Sequence, residues 1–167
     1  RATSCNRTAI LLRTAIELSR FCNKLFRVRD PTSDATRFGF VTAVDDTPER
    51  RLQTLGIELP DAPTPVGSYL TVTRTGNLLY TSGHGPMLPD GSAIAGQVGV
   101  DLDIDAAAEA ARLTGLNLLA TIRRELGTLD YVVRIVKMLG MVNCAAHFTQ
   151  HPAVLNGCSE LLVSVFG

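Results

Sequence analysis

The chain has 167 residues, enough for one domain with a substantial core, and its hydrophobic fraction of 46% without low-complexity runs excludes global disorder. Lys plus Arg and Asp plus Glu number 16 each, so the total charge points to neither nucleic acid nor membrane. Beneath that balance, residues 1–40 carry a net +5 and residues 41–167 a net −5. Cys5, Cys22, Cys144 and Cys158 form no CxxC pair and no dense framework, which fits a reducing, cytoplasmic compartment. No uncharged apolar run reaches the roughly 18 residues of a membrane-spanning helix.

Residues 1–29 are rich in Arg, Ser and Thr and hold one acid, Glu17. Leu11, Ala15, Leu18, Cys22 and Leu25 recur at helical spacing. An amphipathic transit peptide, a basic arm for RNA or acidic lipid, and sequence outside the working domain all fit. The abrupt change of charge and the start at Arg1 favour the last. Residues 1–45 are therefore expected to form an extension with a detached helix, and residues 46–167 the domain.

After a polar linker, Thr47-Pro48-Glu49 opens a short helix through Leu55, stopped by Gly56. Three prolines between Leu59 and Pro65 demand an extended chain. Ser68 to Arg74 then alternates apolar and polar residues, Gly76-Asn77 makes a tight turn, and Leu78 to Ser82 returns as a second strand. Gly83-His84-Gly85-Pro86 follows, a loop that lets a ligand approach the backbone. Leu88 to Gly99 is a glycine-punctuated loop with a short strand near Ala95 to Val98. A helix starts within Asp101 to Asp105 and runs to Leu126, with Gly127 as its stop. Its apolar face is Ala107, Ala111, Leu118 and Ile122. Tyr131 to Val142 is nearly continuously apolar, with Arg134 and Lys137 on opposite faces, and reads as a central strand buried on both sides. Pro152 opens a last helix, with Val154, Cys158, Leu161 and Val165 at helical spacing.

Hairpin, helix, strand, helix is an α+β order, with helices on one face of a small sheet. Three or four strands would leave Tyr131–Val142 with a bare edge, so a further strand after Gly167 is expected.

Several constellations carry chemistry on paper. Cys144, His147 and His151 have a C-x2-H-x3-H spacing that suits zinc, but without an obvious fourth ligand they read as a polar loop and no metal is expected. Ser82, His84 and Asp90 lack the GxSxG elbow of a hydrolase. Gly83, Gly85, Gly91, Gly96 and Gly99 fit no phosphate-binding fingerprint. Tyr69 at a strand start reads as core or interface, Asn117 in mid-helix as a structural hydrogen-bonder, and Asn156 as an ordinary first-turn residue.

Pro65-x-Gly67-x-Tyr69, the run Thr75-Gly76-Asn77-Leu78-Leu79-Tyr80-Thr81-Ser82-Gly83-His84, Ala110-Ala111 with Asn117-Leu118-Leu119, Leu126-Gly127 and Val154-Leu155-Asn156 together resemble the RidA (YjgF/YER057c/UK114) family. The likeness runs from about Leu59 to Gly167 and is greatest to its endoribonuclease L-PSP-like subgroup. It implies a chorismate-mutase-like fold, a six-stranded sheet backed by two helices. It also implies a homotrimer with clefts between subunits, and hydrolysis of 2-imino or enamino acids to 2-oxo acids and ammonia without a cofactor. By motif, Tyr69, Ser82, Gly83, His84 and Asn156 would line the substrate cleft. Better-known members have Gln where this chain has His84. The family's carboxylate-binding Arg and its acidic residue would fall beyond Gly167, so the catalytic residues are unassigned. The expectation is a domain lacking its final strands and inactive alone. The alternative is a non-catalytic small-ligand-binding or regulatory trimer. The acidic 41–167 part argues against RNA as a partner.

Overall fold

The computed structural model describes residues 23–29 and 46–167. Strands β1 (Asn23–Val28), β2 (Val72–Thr75), β3 (Leu78–Thr81) and β4 (Val132–Leu139) form one antiparallel sheet in the order β2-β3-β1-β4. Helices α1 (Pro48–Thr54), α2 (Ile104–Leu126) and α3 (His151–Phe166) accompany it, with a 3-10 turn at Leu129–Tyr131 before β4. The class is α+β, as expected.

Local chemistry sets the helix ends. Thr47 Oγ1 accepts from the Arg50 amide, and Pro48 takes the first position of α1. Asp103 accepts from the Ala106 amide at 2.8 Å and opens α2. Gly127, at φ 81°, closes it with an N–H bond to the Arg123 carbonyl. Glu49 of α1 ties this end to the 3-10 turn: its carboxylate accepts from the Leu129 amide and pairs with Arg123 at 3.2 Å.

Phe26, Leu79, Leu118, Leu119, Ile122, Val154 and Val165 form the core between the sheet and the α2–α3 layer. α2 and α3 cross closely because their contact is lined with small residues. A Cβ on Gly115 would lie 3.0 Å from Cys158 Sγ, and one on Gly157 would strike the carbonyl of Ala108.

β1 corrects the expected domain boundary. Residues 23–28, read as part of a detached extension, lie inside the sheet and bond to both β3 and β4. Lys24, Phe26 and Val28 face the helices and are buried, while Arg27, on the alternate face, is exposed. Both neighbouring strands need those backbone partners, since an open ladder leaves unpaired polar groups. The expected helix upstream of Asn23 and most of the linker lie outside the described residues.

β4 corrects a second expectation. Among the described residues it is an edge strand, shorter than Tyr131–Val142, and Val132 is its one buried residue. Register shifts against β1 set Arg134 opposite Arg27 and Lys137 opposite Leu25, so the two cations share the open face of the sheet. That face also carries Tyr80, 44% exposed, and half-buried Leu25 and Leu78. The expected strand near Ala95 to Val98 reduces to isolated bridges from Val98 to Leu102 and Cys144.

Candidate functional site

β3 ends at Thr81, and the chain continues as the Ser82–Met87 loop across the middle of α2. The Ser82 amide donates to the Thr71 carbonyl at 2.9 Å, which extends the β2–β3 ladder by one step. Tyr69 stands just beyond that step, at the same end of the hairpin as Ser82 and Gly83. Its ring lies over Gly67, 3.6 Å from where a Cβ would stand, and it is 46% exposed. The Ser82 hydroxyl is buried and makes no hydrogen bond among the described residues. Such an unspent donor and acceptor in a native fold calls for an explanation, a role in ligand binding or a bound water among them. Gly83, exposed, brings bare backbone beside it.

His84 does something else. It is 5% exposed, with its ring turned inward between sheet and helix. Nδ1 lies 3.0 Å from the Ser82 carbonyl and Nε2 lies 2.9 Å from Thr121 Oγ1. Burial pushes its pKa below the ordinary histidine value; Lys24 and Arg124 push it the same way, against the hydrogen bond to Ser82. Both ring nitrogens are committed to the protein, so His84 holds the loop from beneath. Asn117 helps from the same helix. Its side-chain amide donates to the carbonyls of Gly85 at 3.1 Å and Met87 at 2.9 Å.

The polar stripe Thr114, Asn117, Thr121, at helical spacing inside a buried helix face, was the signal for this support, and sequence reasoning took only Asn117 from it. It also missed Arg124, which donates to the Ala62 carbonyl and to Thr71 Oγ1, pinning the proline-rich approach to the hairpin. Lys24 was missed too: it is 2% exposed, and its amine donates to Cys158 Sγ at 3.1 Å.

The structure gathers Tyr69, Ser82 and Gly83 at one end of the hairpin. Asn156 stays apart: it is exposed on α3, two residues from both Val154 and Cys158, hence on the side away from the core-facing stripe. No Ser–His–Asp arrangement forms, because Asp90 is bonded to Ser92 and His84 to Thr121. No group of three potential metal ligands occurs among the described residues. A groove of about 500 Å3 lies elsewhere, between α1, α2 and α3, lined by Asp105, Glu109, Arg112 and Glu160 among others.

The profile of a family described as "YjgF/chorismate mutase-like, putative endoribonuclease" matches residues 49–167. The chain belongs to this family. Protein TCP17 of Trypanosoma cruzi is 39% identical over 116 residues, which are 70% of this chain and 72% of that protein. A solved structure of a "putative endoribonuclease" from Shewanella oneidensis superposes with a TM-score of 0.68 at 35% identity, covering 72% of this chain and 80% of the other. A protein of unknown function from Agrobacterium tumefaciens gives 0.64 at 38% identity, covering 73% and 74%. These relatives confirm the RidA-like resemblance and the α+β fold. Within the YjgF-like match fall all the hairpin-end residues; β1 lies outside it. No helix among the described residues is long and apolar enough to cross a membrane.

Proposed function

We propose that the full-length protein carrying this YjgF-like chain binds a small 2-imino or enamino acid at the Tyr69–Ser82–Gly83 end of the hairpin and hydrolyses it to the 2-oxo acid and ammonia. Water adds to the electrophilic imine carbon, the C–N bond of the resulting carbinolamine breaks, and the nitrogen leaves as ammonia. In this reading the Ser82 hydroxyl and the Gly83 amide stabilise charge at the reacting centre, and Tyr69 covers it. The observation that carries this reading is the buried, unpartnered Ser82 hydroxyl beside bare glycine backbone. Tyr69 and Gly83 are exposed beside the buried Ser82 hydroxyl, and the sheet face away from the helices carries Tyr80, Leu25 and Leu78. Both features support completion by neighbouring subunits in a homotrimer.

The test is ammonia release from an imine generated in situ by an amino-acid oxidase. Full-length protein should accelerate release over buffer, and Tyr69→Ala in it should abolish the acceleration while leaving the fold intact. One observation favours the alternative, a non-catalytic ligand-binding trimer: among the described residues no carboxylate is hydrogen-bonded to the Ser82–His84 loop. No acceleration with several imines would favour that alternative over the hydrolase.

A further inference from the structure

The spacing of Cys144, His147 and His151 stands out in the sequence, and the proposed function uses none of them. The fold sorts the three. Cys144 Sγ lies 3.3 Å from His151 Nε2, whereas His147 is exposed and takes no part in that contact. A thiol bonded to an imidazole is a nucleophile with its base in place.

The pair is held rather than incidental. On the thiol side, the Val98 amide donates to the Asn143 carbonyl and the Ala145 amide to the Val98 carbonyl, both at 2.9 Å. Gln97 Nε2 donates to the Cys144 carbonyl at 2.9 Å. On the base side, the His151 ring packs edge-on against Phe148, with centroids 5.3 Å apart. His151 is the first residue of α3, and Gln150 gives that helix end no side-chain cap. A helix start of this kind favours negative charge developing nearby. Cys144 is half-buried and His151 exposed, so a small reagent can reach them. Among the described residues no ion pair involves Cys144, His147 or His151, which suits an uncharged electrophile.

We infer that Cys144 and His151 form a thiol-modification site for small electrophiles of the α,β-unsaturated carbonyl class. His151 Nε2 takes the thiol proton as the sulfur electron pair forms a bond to the β-carbon. The C=C pair moves to the carbonyl oxygen as an enolate. The imidazolium then returns the proton to the α-carbon, which leaves a thioether and a neutral ring, with no net oxidation.

The probe is N-ethylmaleimide on the full chain, with each cysteine peptide read separately by mass spectrometry. Cys144 should label far faster than Cys158, which is 2% exposed. His151→Gln should slow Cys144 labelling at neutral pH about a hundredfold, the low end of general-base effects. His147→Gln should leave it unchanged. His151→Asn provides a second variant if His151→Gln misfolds. A Cys144 rate indifferent to both His151 substitutions, or no adduct on Cys144, would overturn the inference.

Discussion

His84 and Thr121 are joined by a 2.9 Å hydrogen bond that ties the loop after β3 to the middle of α2. The Ser82 carbonyl can only accept, so Nδ1 carries a ring proton; Nε2 faces the Thr121 hydroxyl, whose single proton is shared with the Asn117 carbonyl 3.0 Å away. Burial favours the neutral ring.

Acid should therefore weaken the protein through His84. Its folded pKa lies below the ordinary value of 6.5, chiefly through burial. Between the two values the unfolded chain binds more protons, so stability rises with pH there. The contribution is complete above about pH 6.5 and declines as pH falls below it. Denaturant melts at pH 7.5 and 5 should show this decline, and His84→Gln should flatten it. An identical pH slope in the variant would mean that His84 does not titrate on unfolding.

Asn117 supports the same loop with two hydrogen bonds from one amide. Asn117→Ala strands the carbonyls of Gly85 and Met87 and should cost about 2 kcal/mol or more. Hydrogen exchange should quicken across Gly83 to Met87 beyond any global change. Unaltered local exchange would remove Asn117 from the loop's support.

The α2–α3 crossing depends on the missing side chain of Gly157, where a Cβ would meet the Ala108 carbonyl. The obstacle is backbone and cannot rotate away. Gly157→Ala should destabilise by about 3 kcal/mol, the upper range for overpacking, read as a shifted urea midpoint.

β1 is tested by contrast. Phe26→Ala should cost about 3–5 kcal/mol if Phe26 fills the core as observed. Lys24→Met, which replaces a buried amine with an apolar chain of similar length, should be neutral or stabilising. Denaturation midpoints of both variants check this; a harmless Phe26→Ala would contradict β1's place in the sheet.

Much of this fold was legible because its signals are local. Thr47-Pro48, Asp103 and Gly127 mark helix ends through hydrogen bonds made within a turn, and Gly76, at φ 54°, marks the hairpin. β1 was hidden because Lys24 occupies an inward position, breaking the apolar alternation of Phe26 and Val28. Leu25 meanwhile continues a helical spacing from upstream. β4 misled because a continuous apolar run looks the same at a sheet edge with one bare face as in a sheet's centre. Its bulges, which set Arg134 and Lys137 on one face, depend on pairing with a strand more than a hundred residues away. At the site, Tyr69, Ser82 and Gly83 were expected from the family motif and lie at one end of the hairpin, but the inward turn of His84 was not legible. Its partner Thr121 is a tertiary contact 37 residues distant.

The measurement that tests the hairpin end most directly is a titration of 15N-labelled protein with a 2-oxo acid, the stable product of the proposed reaction. Saturable shifts centred on the Ser82 and Gly83 amides, lost in Tyr69→Ala, are the predicted result. Shifts confined to the groove between α1, α2 and α3, or none at millimolar ligand, would contradict the assignment of the site.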